Sequence, residues 1–381
     1  RQAFKYRRAF LWWDGISPRL SKQSEAAKRN QEAIANLPAG VNYFPVQGVF
    51  NLGFFKKKIW LSFRDKKFPI GIMMKLLKTE WQLEIKRIFG GAKFDSAIQF
   101  NGYEPKTLLM FSEFDCEKSV FVHSDMVQEI KTRGNQRKDV LKYIYSAYDH
   151  VVLVTDDIWD ATATFVKNTD NFTVVNNLIA VDRIRARGEE ELKFDEGVTQ
   201  SNHSFEHVKE ALDSDAKVLV CVGRYSPEKA HKRTIDAFNR IWQENNQTYL
   251  VIIGGNQRDG IYNELCEYVE TLPCKDNVIL ILSMSNPLPL VKACDGFLLG
   301  SYYEGFGLVL VEADVLGLPT VSTDITGPGP FVRENNGTLV ENSDEGVESG
   351  LRMLIDGKAP LLTVDYDEYN RRAVEAFKKI L

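Results

Sequence analysis

The chain has 381 residues, 44% of them hydrophobic and 26% charged, enough for two or three buried cores and unlike a disordered or fibrous polymer. Five cysteines at 116, 221, 266, 274 and 294 form an odd set without a C-x-x-C pair, which argues against a disulfide framework or zinc ribbon and for a reducing compartment. The net charge of −4 splits unevenly: residues 1–185 carry 29 Lys+Arg against 20 Asp+Glu, residues 186–381 carry 19 against 32, and residues 1–93 alone carry 19 against 6.

Such a basic first half predicts a polyanionic partner or an anionic surface. No run of about 18 apolar residues occurs and nothing resembles a signal peptide, so the expectation is a cytoplasmic protein. The first residue is Arg, not Met, as expected of a segment of something longer.

In chain order, the first half offers candidate strands at 9–13, 42–46, 96–100, 119–123, 150–155 and 172–176. Candidate helices fall at 24–36, 72–88, 126–132 and 156–166. Residues 183–216, rich in charge and Ser/Asn, read as a connection. The second half is more regular. Apolar, β-branched runs at 217–222, 249–253, 278–282, 296–299 and 319–322 alternate with helical stretches at 234–243, 262–271, 308–316 and 345–355. Short buried strands alternating with helices imply parallel sheets covered on both faces. The expected architecture is therefore α/β, with Rossmann-like domains over 1–185 and 186–363 and a closing helix over 364–381 packing back towards the first domain. A cleft between two such domains is a usual place for a small-molecule site.

The strongest motif is SYYEGFGLVLVEADVLGLPTV, residues 301–321. A strand runs into a glycine-bearing loop and then a helix, so backbone N–H groups at Gly305, Phe306, Gly307 and Leu308 lie at a helix N-terminus, which attracts anions. Glu304 stands before that helix and Glu312 eight residues later, about two turns on. Two carboxylates beside a phosphate site suit sugar hydroxyls. A second motif, VCVGRYSPEKAHKR at 220–233, places Gly223 and Arg224 at a strand end and Lys229 where the next helix begins. Two converging cations and fixed amide dipoles stabilise a departing diphosphate. The plainer readings are an ordinary strand–loop–helix crossover and a surface cation cluster.

With both motifs in this order, the chain resembles the large retaining glycosyltransferase family of GT-B fold that carries the E-x7-E signature. The likeness covers 217–341 and extends to NNLIAVDR at 176–183, similar to that family's interdomain segment. The stretches TDITGPGPFVRENNGTLVENSDEGVESG and YNRRAVEAFKKIL are most similar to members from bacterial teichoic acid and capsule assembly, some of them fused to another polymer-synthesis module. The resemblance implies that Arg224 and Lys229 hold the diphosphate of a nucleotide sugar, aided by the amides of 305–308. It further implies that Glu312 binds the ribose hydroxyls and Glu304 the donor sugar, and that His123, in VFVHSD, reaches the sugar across the cleft. The base would sit near Leu282, Ser283 and Met284, with Gly254 and Gly255 as the family's glycine turn. The resemblance implies a UDP-linked donor and no metal or further cofactor. One departure stands out: RRAFLWWDGISPR offers only Gly15 where the family has a glycine-rich first loop, so the expectation is either that this element is lost or cut off or that residues 14–17 replace it.

Other signals read less sharply. His203-Ser-Phe-Glu-His207 matches H-x-x-E-H but lacks a visible third ligand; the D-x-D pairs at 213–215 and 365–367 fall outside the phosphate loops. Residues 50–87 interleave aromatics with Lys and Arg, which suits an anionic membrane surface through 50–90 or, equally, a core helix. Nucleic acid has no motif in its favour. The expected function is transfer of a hexose or N-acetylhexosamine, with retention, from a nucleoside diphosphate sugar to a polyanionic or lipid-linked glycan such as teichoic acid or capsule, at the inner face of the cell membrane. The alternatives are a catalytically inactive sugar-nucleotide-binding scaffold and a peripheral membrane or polyanion-binding protein.

Overall fold

The computed structural model describes residues 9–10, 42–43, 58, 69–103, 105–133, 137–255 and 260–381. The expected helix at 24–36, the candidate loop at 14–17 and most of 50–68 lie outside the described residues.

Two short strands, β1 (Ala9–Phe10) and β2 (Asn42–Tyr43), pair in parallel. Helix α1 (Ile70–Phe89) follows, closed by Gly90 in the left-handed region at φ 59°. A four-stranded parallel sheet then forms from β3 (Ser96–Gln99), β4 (Glu117–Val122), β5 (His150–Leu153) and β6 (Phe172–Val174), in sequential order. Its crossovers include α2 (Pro105–Phe111), α3 (Met126–Arg133), α4 (Lys138–Ala147) and α5 (Trp159–Ala163). Trp81, Met73 and Leu77 of α1 are fully buried in the first core, where α1 packs on α2 and α4. The apolar residues of α1 are thus divided: one face is core, while Ile72, Leu76 and Leu83 stay about half exposed.

The second sheet has seven strands. After α6 (Val181–Gly188), β7 (Gln200–Ser201) and α7 (Phe205–Asp213), the chain forms β8 (Lys217–Val222), α8 (His231–Glu244), β9 (Thr248–Gly254), α9 (Ile261–Glu270) and β10 (Val278–Leu282). It continues through α10 (Leu288–Lys292), β11 (Gly296–Leu299), α11 (Leu308–Val315), β12 (Thr320–Thr323), α12 (Pro328–Glu334), β13 (Thr338–Val340) and α13 (Asp344–Ile355). The strand order is β13-β12-β11-β8-β9-β10-β7, parallel except for β7. Side-chain alternation explains the continuous apolar runs: Val218 and Val220 face one core, Leu219 and Cys221 the other, so helices cover both faces. Because order reverses between β8 and β11, the loops after these two strands open side by side into the crevice where such sheets bind ligands.

The stretch read as a connection, 183–216, is built structure. Strand β7 adds an antiparallel edge to β10 and α7 buries Val208 and Ala211. Its polar composition hid this because only one narrow stripe of α7 meets the core. Helix α6 runs through the expected boundary at 185/186, and Ile184 packs in the second core. The last helix, α14 (Tyr366–Lys378), spans both cores: Tyr366 and Tyr369 pack on the second, while Phe377 and the following Ile380 pack on the first. No helix among the described residues is long and apolar enough to cross a membrane.

Candidate nucleotide-sugar site

The loop after β8 is pinned from below. Tyr225, buried under it, donates its hydroxyl to the carbonyls of Ile252 (2.9 Å) and Ile281 (3.2 Å). His231 Nε2 donates to the carbonyls of Gly223 (3.1 Å) and Arg224 (3.0 Å), which fixes the neutral Nε2–H tautomer. Burial pushes the His231 pKa down to about 4, although both carbonyls and Glu228 oppose that shift. The unfolded imidazole takes a proton below about 6.5 and the folded one only near 4, so stability is full above 6.5 and lost as pH falls through that window. The loss should reach about 3 kcal/mol. Urea unfolding of wild type and His231→Phe from pH 7 to 4 checks it: the variant should lose markedly less on acidification, and parallel curves would contradict the assignment.

Two cations rise from this loop. Arg224 is about half exposed, its Nη2 donating to Oε1 of buried Glu228 at 3.2 Å. Lys229 is almost covered and pairs with Glu304 Oε1, which also accepts from Ser301 Oγ at 2.7 Å. The amide of Tyr302 donates to the Glu228 carbonyl (2.8 Å), clamping the loops after β8 and β11 together. The structure therefore brings Lys229 against Glu304 and the loop after β8 against Tyr302, while Arg224 pairs within its own loop. In the free protein Lys229 and Glu304 neutralise each other.

Gly307 adopts φ 79° as the N-cap of α11, a conformation that disfavours any residue with a Cβ. The Leu310 amide bonds the Gly307 carbonyl at 2.9 Å, while the amides of Leu308 and Val309, at the first two positions, have no acceptor within the helix. Phe306 contributes only backbone here: its ring is buried against Phe331 (5.3 Å) and lies 6.3 Å from Tyr369, so as a side chain it belongs to the core. Leu308 is partly exposed.

Glu312, on α11, faces a groove of about 200 Å³ shared with Leu178, Arg183, Arg187, Leu288 and Leu308. Burial raises its pKa and the Arg187 charge partly offsets this. Arg187 also donates to the Ser285 carbonyl at 3.0 Å, which brings the loop after β10 to the same groove. In that loop Leu282 registers with Gly254, and Ser283, at φ 64°, donates its amide to the Gly254 carbonyl at 2.8 Å. Met284 is half-buried on the second core. Thr199 Oγ1 donates to the Ser283 carbonyl (3.1 Å), and the Ser285 amide donates to Asp195 (2.7 Å). Sequence reasoning missed Arg187, Leu178 and the 195–199 brace; the Arg183/Arg187 spacing of one helical turn was the available signal.

The first sheet meets this site through backbone. A Cβ on Gly305 would lie 1.8 Å from the His123 carbonyl oxygen, so glycine alone permits the approach. The His123 ring stays in its own domain, donating Nε2–H to the Phe100 carbonyl at 2.5 Å and leaving Nδ1 as an acceptor. Burial lowers its pKa, partly opposed by that carbonyl. Further contacts across the cleft are Tyr303 to Thr132 (2.7 Å) and the Gly327 amide to Asp157 (3.1 Å); Asn370 of α14 bonds both backbone groups of Ile179 (2.8 Å each) on the second core.

The remaining motifs have structural roles. The His203 and His207 rings stack at 4.3 Å, their Nε2 atoms donating to the carbonyls of Lys275 and Asp276. Asp365 caps α14 by accepting from the Glu368 amide.

Comparison with known proteins places this geometry. Residues 202–373 match the family described as Glycosyl transferases group 1. The chain is similar to the capsular polysaccharide biosynthesis glycosyltransferase CapM of Staphylococcus aureus, 27% identical over 176 residues, 46% of this chain and 45% of that protein. The matched segment spans less than half the length of the curated relatives. Among solved structures it is similar to Anabaena HepE in complex with UDP and glucose, with TM-score 0.60, 16% identity and coverage of 92% of this chain and 87% of that one. It is also similar to S. aureus TarM in complex with Fondaparinux, alpha-GlcNAc-glycerol and UDP, with TM-score 0.57, 16% identity and coverage of 80% and 58%. The fold is GT-B, and within it residues 202–373 are similar to the group 1 glycosyl transferases.

Proposed function

We propose that this protein transfers a hexose or N-acetylhexosamine from a UDP-sugar, with retention at the anomeric carbon, to a bacterial cell-surface glycopolymer of the teichoic acid or capsule kind. The observation that carries the reading is the meeting of Lys229, from the loop that also bears Arg224, with Glu304 at the reversal of strand order, beside the groove that holds Glu312. Lys229, Arg224 and the first amides of α11 take up the charge that develops on the diphosphate when the bond from the anomeric carbon to its oxygen breaks. That charge balance needs no metal ion. Glu312 as a carboxylate accepts from the ribose hydroxyls, and the loop at Leu282–Met284 reads the base through backbone groups.

Glu304 is held by Lys229 and Ser301, which supports a sugar-contacting role over that of covalent nucleophile. Front-face displacement follows: the acceptor oxygen attacks on the face that the diphosphate leaves, and its proton passes to the departing phosphate oxygen. The relatives' names support the acceptor class, since CapM is a capsular enzyme and the TarM structure holds alpha-GlcNAc-glycerol and UDP.

A peripheral position on the cytoplasmic face of an anionic membrane is part of the proposal. Exposed Ile72, Leu76 and Leu83 share the solvent side of α1 with exposed Lys75, Lys86 and Arg87, a pattern suited to the headgroup boundary. The test is calorimetric titration of UDP. Glu312→Ala and Arg224→Ala should each weaken binding by roughly tenfold or more, as expected for losing a hydrogen bond to a charged group. Unchanged UDP affinity in both variants would sink the assignment.

A further inference from the structure

Phe100, immediately after β3, is 58% exposed, yet its surroundings are rigid. The buried Gln99 accepts from the Gly102 amide through Oε1 (2.8 Å) and donates Nε2 to Thr107 Oγ1 (3.1 Å). Gly102, at φ 70°, packs so closely that a Cβ would come within 2.1 Å of the Phe121 carbonyl oxygen, and Tyr103 bonds Ser124 at 2.5 Å. The chain thus fixes a loop that holds a large apolar ring in solvent, forgoing the stabilisation its burial would bring. The ring meets the His123 imidazole edge-on at 4.7 Å and Phe121 at 4.9 Å, while the Phe100 carbonyl holds His123 Nε2. The His123 carbonyl in turn packs against Gly305, next to Glu304.

We propose that Phe100, braced by His123, is a stacking platform for a pyranose ring of the acceptor, so that transfer is to a sugar-terminated chain in preference to an open-chain polyol phosphate. The inference rests on the donor-site reading above. Aromatic faces bind the polarised C–H groups of a sugar ring, whereas a polyol phosphate offers charge and no flat apolar face. Because the platform is linked through His123 to the Gly305 backbone, a ring on Phe100 lies beside the loop that carries Glu304.

The experiment is saturation-transfer NMR on the full chain with saturating UDP, using methyl α-D-glucopyranoside, methyl α-N-acetylglucosaminide and glycerol 3-phosphate as probes. Saturation of the glycoside ring protons is expected in wild type. Binding should weaken roughly three- to tenfold in Phe100→Ala and persist in Phe100→Trp, with UDP affinity unchanged throughout. Glycoside binding that is absent from wild type, equal in Phe100→Ala, or weaker than that of glycerol 3-phosphate overturns the platform while leaving the donor site standing. Failure of wild type to bind UDP overturns the donor-site reading itself.

Discussion

Replacing Lys229 by alanine is expected to lower turnover of a UDP-sugar by about 100- to 1,000-fold, the range seen when one fixed transition-state donor is removed. It should also destabilise the fold by about 3–5 kcal/mol, because Glu304 would stay buried without its cation. Both side chains are only 11% exposed, so solvent screening offers little relief, and among the described residues Ser301 alone remains to satisfy the carboxylate. The two effects separate in a second variant. Lys229→Ala combined with Glu304→Gln removes the unpaired charge and should recover much of the stability while turnover stays low. Urea unfolding alongside a UDP-release assay makes the comparison. A single variant as stable as wild type would show that the pair is not formed in solution.

Gly305→Ala should be the most damaging single-methyl change in the donor loop. Its Cβ would sit 1.8 Å from the His123 carbonyl oxygen, a backbone atom that cannot swing away. The adjoining backbone has no room to yield either, since Gly327 packs directly on the Gly305 carbonyl. Relief therefore requires the two sheets to separate, straining the Tyr303–Thr132 and Gly327–Asp157 bonds that span the cleft. Overpacking of this kind costs about 1–3 kcal/mol, and misplacing the sugar relative to the first domain by an ångström costs about 100-fold in rate. UDP binding, which uses the second domain, should fall far less than turnover. Equal losses in UDP affinity and turnover would contradict the idea that Gly305 acts by letting the two halves meet.

The second sheet was legible because burial on both faces writes a simple signal. Lys217–Val222 beyond its first lysine, Val278–Leu282 and Gly296–Leu299 are apolar runs each followed by Gly or Ser, and each strand occupies the residues expected of it. The proximity of the loops after β8 and β11 was implied by the family resemblance of the two motifs; alternating strands and helices alone leave the strand order open, and its reversal between β8 and β11 is seen only in the structure. Within 183–216, the stretch read as a connection, residues 195–199 contribute through polar groups: Asp195 and Thr199 brace the loop after β10 through hydrogen bonds that leave no hydrophobic period.

Three features of the site lay beyond sequence for a related reason, being properties of three-dimensional pairing. They are the Lys229–Glu304 contact, the turn of Phe306 into the core, and the use of His123's carbonyl to receive Gly305. His231 was visible only as a letter beside Lys229. Its work as the tie holding the Gly223 and Arg224 carbonyls depends on a loop geometry that spacing does not encode.

The central claim, that this cleft cleaves a nucleoside diphosphate sugar, is tested most directly by incubating purified protein with UDP-glucose, UDP-galactose, UDP-N-acetylglucosamine and UDP-N-acetylgalactosamine and measuring released UDP. The prediction is release from at least one donor, stimulated by a glycan acceptor and abolished in Lys229→Ala. Absence of release from all four, together with no detectable UDP binding, would contradict it.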